Sequence, residues 1–467
     1  MTDTQARFAH RRRILTARPD AMDLAARLRR CLASAEAGDL RETLNRQHPA
    51  DLADAMIYLT EAEDLALFRL LETLEAAEVL DEVDPTTRRR LVEVTAPERL
   101  ARIVEELPAD EAADVLGALE PARREETLKQ MTAEAAQPVR ELLAWPADSA
   151  GGLMSLGFVQ VPDTALQADA IQLFRQMRRA EALFYIFVVN SAGILSGFVD
   201  LRTLFSAAPE TPVLSLMSTD FISVPVMCDR EQVAAIFARY DLTALPVVAA
   251  QPDGKLLGVI TADDVIDVIR KEADEDVAQM SGSDAQELEN KTPAQVARLR
   301  MPWIMATMFI ELFAGLVIHL FDATLTKYIL LASFMPIISA ISGNTGLQSA
   351  AIIIRGLSTG HVQLAHWKHA VVRQLSTTLI LGGTCAVTLG IIGGVWDRSF
   401  AFGLSVMLGM FLAVNIAGVV GTIVPLMSKR AGYDPALTAG PFETAFQDVI
   451  GISIFLSLAT LLLRWMR

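Results

Sequence analysis

The sequence predicts a multidomain, mostly helical chain. An α-solenoid-like N-terminal domain comes first, then two small α/β modules in tandem, a linking acidic helix and a five-helix transmembrane domain. Three observations carry this. Apolar doublets recur every twelve positions between residues 50 and 130, the pattern switches to period two from 150 to 270, and five long apolar runs follow residue 301.

The doublets are Ala55-Met56, Leu67-Phe68, Val79-Leu80, Leu91-Val92, Ile103-Val104 and Val115-Leu116, with a weaker seventh at Thr127-Leu128. Pro85, Pro97, Pro108 and Pro121 fall between units. A helix this short is marginal alone. Stacked side by side, such helices bury their doublets in one continuous core. An irregular helical bundle is the plainer alternative. Residues 41–145 are assigned to this domain and residues 1–40 to a flexible tail.

Phe184–Val189 and Ile194–Val199 read as strands around the turn Asn190-Ser-Ala-Gly193. Ala244–Val248 and Leu256–Ile260 repeat that layout around Pro252-Asp-Gly254. An amphipathic helix precedes each pair, Leu166–Arg179 and Arg230–Tyr240. These give modules at 146–208 and 209–268. An acidic connecting helix is expected from 264 to about 290, within a linking segment 264–300. A separate short helix is expected to begin at Thr292 and Pro293.

Apolar spans are expected at roughly 302–321, 328–354, 370–395, 401–427 and 438–463, which places the membrane domain at 301–467. Basic residues before the first span, after the second and after the fourth suit a cytoplasmic N-terminus in a cell membrane. Arg464 and Arg467 sit against that orientation. Arg11, Arg12 and Arg13 have no apolar core behind them and are not read as a secretory signal.

Of the 56 acidic and 41 basic residues, six and nine lie from 301 onward, leaving 50 and 32 in the first 300. So acidic a front half argues against nucleic-acid partners and suits cations. The three cysteines are far apart and read as reduced thiols. No Walker A pattern, kinase or nuclease motif is present, so the chain is not read as an enzyme.

Two membrane segments carry the chemistry. Residues 341–356 include Gly343-Asn-Thr-Gly-Leu-Gln348, and Gly440–Val449 contains Asp448 in mid-span. Polar and ionisable residues at membrane depth mark pathways and binding sites. Gly343, Gly346 and Pro336 are expected to let a helix deviate so that backbone oxygens face water. Asn344, Gln348, Asn415 and Thr444 could hold water around an ion, and interhelical hydrogen bonding is the alternative for Asn344 and Asn415. Glu311 and Glu443 receive no assigned role.

The order of parts, with Ala-Gly-Gly-Leu-Met at 150–154, Gly343–Gln348, Arg355-Gly356, Asn415, Asp434-Pro435, Gly440-Pro441 and Asp448, resembles the MgtE magnesium channel family. The α/β modules resemble a tandem pair of CBS domains, the second ending Gly258-Val-Ile-Thr-Ala-Asp-Asp-Val265. The resemblance implies a homodimer in the lipid membrane, with the second and fifth spans lining a pore and paired aspartates selecting Mg²⁺. It also implies a cytosolic half that senses Mg²⁺. That sensor would use Asp229, Glu231, Asp241, Asp264, Asp267, Glu272, Glu275 and Asp276, with Asp434 facing them from the membrane side.

Asp110 and Asp114 stand one turn apart in the solenoid and join that set. Two carboxylates about 6 Å apart repel by roughly 3 kcal/mol at an effective dielectric of 20. Several such pairs exceed the ~5.5 kcal/mol that reverses a two-state population. Divalent ions bridging them would permit compaction. Mg²⁺ prefers six oxygens and keeps its water, which suits carboxylates and carbonyls. Co²⁺ is the alternative cargo.

The resemblance also implies that the CBS pair can bind ATP. Thr261 and Asp264 keep the ribose signature, and Tyr185 and Arg202 could hold base and phosphate. Thr203 stands where an acid is expected, which counts against nucleotide binding.

Overall fold

The computed structural model describes residues 20–34, 40–41, 43–44, 47–176, 184–250, 253–280, 282–283, 292–438 and 440–465. The chain divides into two compact units, Met1–Val268 and Ile269–Arg467.

The first unit opens with α1 (Ala21–Ser34), inside the segment read as a tail. Leu24, Ala25 and Leu28 are buried in the core, so this stretch is a packed helix; residues 1–19 lie outside the described ones. Eight short helices follow: α2 (Pro49–Met56), α3 (Glu61–Leu70), α4 (Thr73–Glu82), α5 (Pro85–Val94), α6 (Pro97–Val104), α7 (Ala109–Gly117), α8 (Pro121–Gln130) and α9 (Ala133–Leu142). Pro85, Pro97 and Pro121 each open a helix, where the missing N–H costs nothing. Thr60 and Glu63 close a capping box on α3.

Alternate helices stack, α2 on α4 on α6 on α8, and α3 on α5 on α7 on α9. All fourteen residues of the seven doublets are at most 2% exposed. The twelve-residue period is therefore one short helix plus its turn, with the doublet as the inward face. Arginines repeat with the frame. Arg99 donates to the carbonyls of Phe68, Arg69 and Leu71, and two repeats later Arg123 donates to those of Val92 and Thr95.

After α10 (Ala150–Leu153) come two three-stranded sheets of the same build. In one, β1 (Val159–Pro162) runs parallel to β2 (Tyr185–Val189), which pairs antiparallel with β3 (Leu195–Asp200). In the other, β4 (Val224–Pro225), β5 (Ala244–Val248) and β6 (Leu256–Thr261) repeat that order. Both carry a register shift at the same place, Val188/Val189 and Val247/Val248. The helices are α11 (Gln167–Gln176), α12 (Leu201–Ser206), α13 (Val213–Leu216) and α14 (Arg230–Tyr240). Residues 177–183, where the expected first helix would end, lie outside the described ones. The second sheet shares one core with the solenoid, while the first keeps its own around Val161, Ile186 and Val188.

The acidic helix α15 spans Ala262–Met280, and residues 284–291 lie outside the described ones. The expected short helix at 292 is instead the first two turns of α16 (Pro293–Leu320), because Thr292 and Gln295 form a capping box and Pro302 does not end the helix.

A short α17 (Asp322–Lys327) leads to α18 (Leu331–Ser358), α19 (Trp367–Asp397), α20 (Phe400–Ala431) and α21 (Pro441–Trp465). Five helices among the described residues are long and apolar enough to cross a membrane. Helix α18 is continuous through Pro336, Gly343 and Gly346, against the expectation of a deviation. Its glycines serve close packing instead. A Cβ on Gly421 of α20 would lie 2.3 Å from the Gly346 carbonyl oxygen. Helix α20 packs on α18, α19 and α21, and α21 also packs on α16.

Candidate ion path and acidic sensor

In the membrane unit the structure gathers part of the expected set. Thr444 and Asp448 stand one turn apart on α21. A Cβ on Gly343 would meet Thr444 Cγ2 at 3.2 Å and Asp448 Oδ1 at 3.7 Å, so the glycine lets α18 close on that face. Asn344 and Gln348 follow on an exposed stripe of α18, again one turn apart. Asn415 does not join them. It is buried on α20, donates from Nδ2 to the Phe411 carbonyl at 2.7 Å and accepts at Oδ1 from Thr378 of α19 at 3.2 Å. The Thr378 bond ties α20 to α19, the alternative reading of this asparagine.

Asp448 has one neighbour that the sequence did not assign. Glu311 of α16 lies within electrostatic reach of it. Two like-charged carboxyl groups this close are relieved by a proton or a cation between them. Asp448 Oδ1 is buried with no hydrogen-bond partner. The only hint was a lone acid in mid-span, since 137 residues separate positions 311 and 448.

The inner end of this unit holds the last turns of α15. Met280 packs against Ala350 and Ile354 of α18 and against Ala436. A Cβ on Gly440 would lie 2.1 Å from the Met280 carbonyl oxygen. Ser358, at the end of α18, donates to Asp276 at 3.1 Å. Glu275 accepts from Gln279 at 3.0 Å, and Asp434 Oδ1 accepts from the Ala436 amide at 2.9 Å. Glu272 lies on the same stretch of α15.

In the soluble unit a second group of carboxylates comes together. Asp110 and Glu111 of α7 and Asp81 of α4 lie within electrostatic reach of Asp264 or Asp267 of α15, and Asp114 is within reach of Asp81. Burial raises Asp81, Glu111 and Asp264, and like charge adds to it. Glu111 is pushed up to about 8 by burial and then by Asp81, Asp110 and Asp264. Asp264 is pushed up to about 6 by burial, against the hydrogen bond it accepts from Thr261 at 2.7 Å. Asp81 is raised by burial, with Arg88 as partial offset. Asp81 and Glu111 were not expected, because no sequence spacing joins positions 81, 111 and 264.

Asp229, Glu231 and Asp241 are placed apart. Asp229 caps α14 by accepting from the Glu231 amide at 2.8 Å, while Asp241 ends the same helix in the left-handed region at φ 50°. Twelve positions of helical rise separate Asp229 and Asp241, about 18 Å, too far to share an ion. Among the described residues no three His, Cys, Asp or Glu side chains converge at metal-binding distance.

The nucleotide candidates divide between the two sheets. The Tyr185 hydroxyl accepts from Thr243 at 3.0 Å and its ring packs edge-on to Phe198. Arg202 follows β3, while Thr261 and Asp264 end β6 and begin α15. In the first module Thr203 donates to Asp200 at 2.6 Å, so the threonine–aspartate pair is kept with its members exchanged.

Comparison with known proteins gives the family and its domains. The divalent cation transporter family MgtE matches residues 335–458, the MgtE intracellular N domain matches 47–148, and a CBS domain matches 213–271. The chain is 33% identical over 447 residues to the magnesium transporter MgtE of Thermus thermophilus, covering 94% of this chain and 98% of the relative. It is 30% identical over 424 residues to that of Bacillus subtilis, covering 90% and 93%. The solved cytosolic domain of the Mg²⁺ channel MgtE in complex with ATP matches 52% of this chain and 99% of that one, at 34% identity and a TM-score of 0.49. With its five apolar helices and intracellular N domain, this multi-pass membrane protein belongs to the MgtE family of magnesium transporters.

Proposed function

We propose that the chain carries Mg²⁺ into the cell down its electrochemical gradient, as a homodimer with one Asp448 from each protomer on the ion path. The observation that carries this is the Asp448–Glu311 pair. Both carboxyls lie within membrane spans, neither has a Lys or Arg partner among the described residues, and Asp448 keeps a buried oxygen without a donor. Such a group is costly at membrane depth unless a cation or water route stands beside it. A hydrated Mg²⁺ supplies the charge, and Thr444, one turn from Asp448 on α21, with the exposed Asn344 and Gln348 of α18, offers polar groups for its water. A membrane potential of 100 mV, inside negative, contributes about 4.6 kcal/mol to a divalent ion moving inward.

Closure follows from the soluble carboxylates. Asp81, Asp110, Asp114, Asp264 and Asp267 crowd charge together at neutral pH, where Glu111 still holds its proton, and cytosolic Mg²⁺ screens or bridges them. The same helix, α15, then continues to Met280, which packs on the inner end of α18. Ion occupancy at the start of α15 thereby biases its far end over the pathway. ATP is a candidate second ligand of the CBS pair through the Thr261–Asp264 hydrogen bond.

Proteoliposomes with varied internal Mg²⁺ test both halves. Uptake is expected to fail in Asp448→Ala. It is expected to persist at high internal Mg²⁺ in Asp264→Asn/Asp267→Asn, where wild type closes. Wild-type uptake by Asp448→Ala would end the transport reading, and unchanged closure in the double variant would end the gating reading.

A further inference from the structure

Glu443 and Gln447 lie on a different face of α21 from Asp448. Each is 2% exposed. Gln447 Nε2 donates to Glu443 Oε1 at 2.9 Å and weakly to the Ala417 carbonyl of α20 at 3.5 Å. What is left over is acceptor only. Glu443 Oε2 and Gln447 Oε1 are both buried with no hydrogen-bond partner. Two glycines shape the space around them. The position a Gly421 Cβ would take is 2.3 Å from the Gly346 carbonyl oxygen and 2.7 Å from Glu443 Oε1. A Cβ on Gly346 would run into the Gln447 amide. Helices α18, α20 and α21 thus bring a carboxylate, an amide oxygen and a main-chain carbonyl together at one closely packed contact inside a single protomer.

We infer that this cluster of buried oxygens binds one dehydrated alkali-metal cation. The charges decide the class. One carboxylate neutralises one monovalent ion, whereas a divalent ion would leave a buried positive charge and resists dehydration. No group of three His, Cys, Asp or Glu side chains forms a divalent set among the described residues. An unpaired carboxylate at this depth would cost several kcal/mol, and a hard monovalent cation is a ligand suited to acceptor-only oxygens. The ion pins α21 to α18 and α20, and it takes no part in the Mg²⁺ path.

The test uses the purified full-length protein in detergent with EDTA, at fixed pH and ionic strength. Thermal unfolding is followed in NaCl, LiCl, KCl or choline chloride. At least one alkali cation is expected to raise Tm saturably, by roughly 3 °C at about ten times its Kd, with choline inert. Glu443→Gln is expected to lose this rise and Asp448→Ala to keep it. Gln447→Met, which retains the charge, is expected to need roughly tenfold more cation. The inference is overturned by equal Tm in choline and all alkali salts, by a response to pH with none to cation, by a rise that survives Glu443→Gln, or by one lost in Asp448→Ala. The wild-type titration decides even if Glu443→Gln does not fold. Because no Mg²⁺ is present, failure here is separate from failure of the transport reading.

Discussion

The soluble and membrane units both bury carboxylates, and they manage them in opposite ways. The soluble unit crowds six acids from α4, α7 and α15 into mutual reach, at the margin of a core that fourteen doublet side chains already stabilise. Water and Arg88 soften the cost there, so the cluster can persist with raised proton affinity. The membrane unit has no such reserve and keeps its acids few: Asp448 and Glu311 form one pair, and Glu443 meets Gln447 on another face. Crowding suits graded sensing, and a lone pair suits a defined ion position.

The largest expected effect sharpens the membrane side. Asp448→Asn keeps the shape and removes the charge, and Mg²⁺ flux is expected to fall about a hundredfold, the factor that roughly 3 kcal/mol represents. Glu311→Gln is expected to lower flux less, because Asp448 keeps its charge. Equal losses in the two would make them one functional unit, as measured by fluorescent Mg²⁺ uptake.

Next is packing. Gly421→Ala drives a methyl against the Gly346 backbone carbonyl, which cannot swing aside, and is expected to destabilise the membrane unit by about 1–3 kcal/mol in thermal unfolding. A neutral result would mean that α18 and α20 are not held this closely.

The soluble cluster predicts a pH dependence of defined sign. Glu111 at about 8 and Asp264 at about 6 stand above their ordinary values, so the folded cluster binds more protons than the unfolded chain. Its stability is fully present below about pH 4 and is lost as pH rises through about 6 and then about 8. Without Mg²⁺, Tm is expected to fall across that window. Saturating Mg²⁺ should flatten the fall and release protons, measurable by calorimetry in buffers of different ionisation enthalpy. Glu111→Gln should remove the upper part of the slope, and an unchanged slope would place its origin elsewhere.

The smallest effect concerns the two CBS modules. Thr203→Ala and Thr261→Ala each remove one hydrogen bond to aspartate, and each is expected to cost about 1 kcal/mol in chemical denaturation. A much larger cost at Thr261 would set the second module apart through its tie to the Asp264 cluster.

The sequence by itself determined the repeat, the two α/β modules and the five spans, because each rests on local periodicity. Doublets at a twelve-residue interval can be buried only by stacking. Alternating strands repeat with their turns, and apolar runs of some twenty residues announce themselves. It also singled out Asp448, since a charge in mid-span is conspicuous without any fold. Tertiary structure alone decided the partners. Glu311 meets Asp448, Asp81 and Glu111 meet the start of α15, and Asn415 turns to Thr378 instead of joining the Asp448 face. Gly346 and Gly421 proved to be contact points, where a continuous helix replaced the expected deviation. These choices depend on which helix faces cross and how closely. That is set by packing between residues tens to hundreds of positions apart, and no local pattern encodes it.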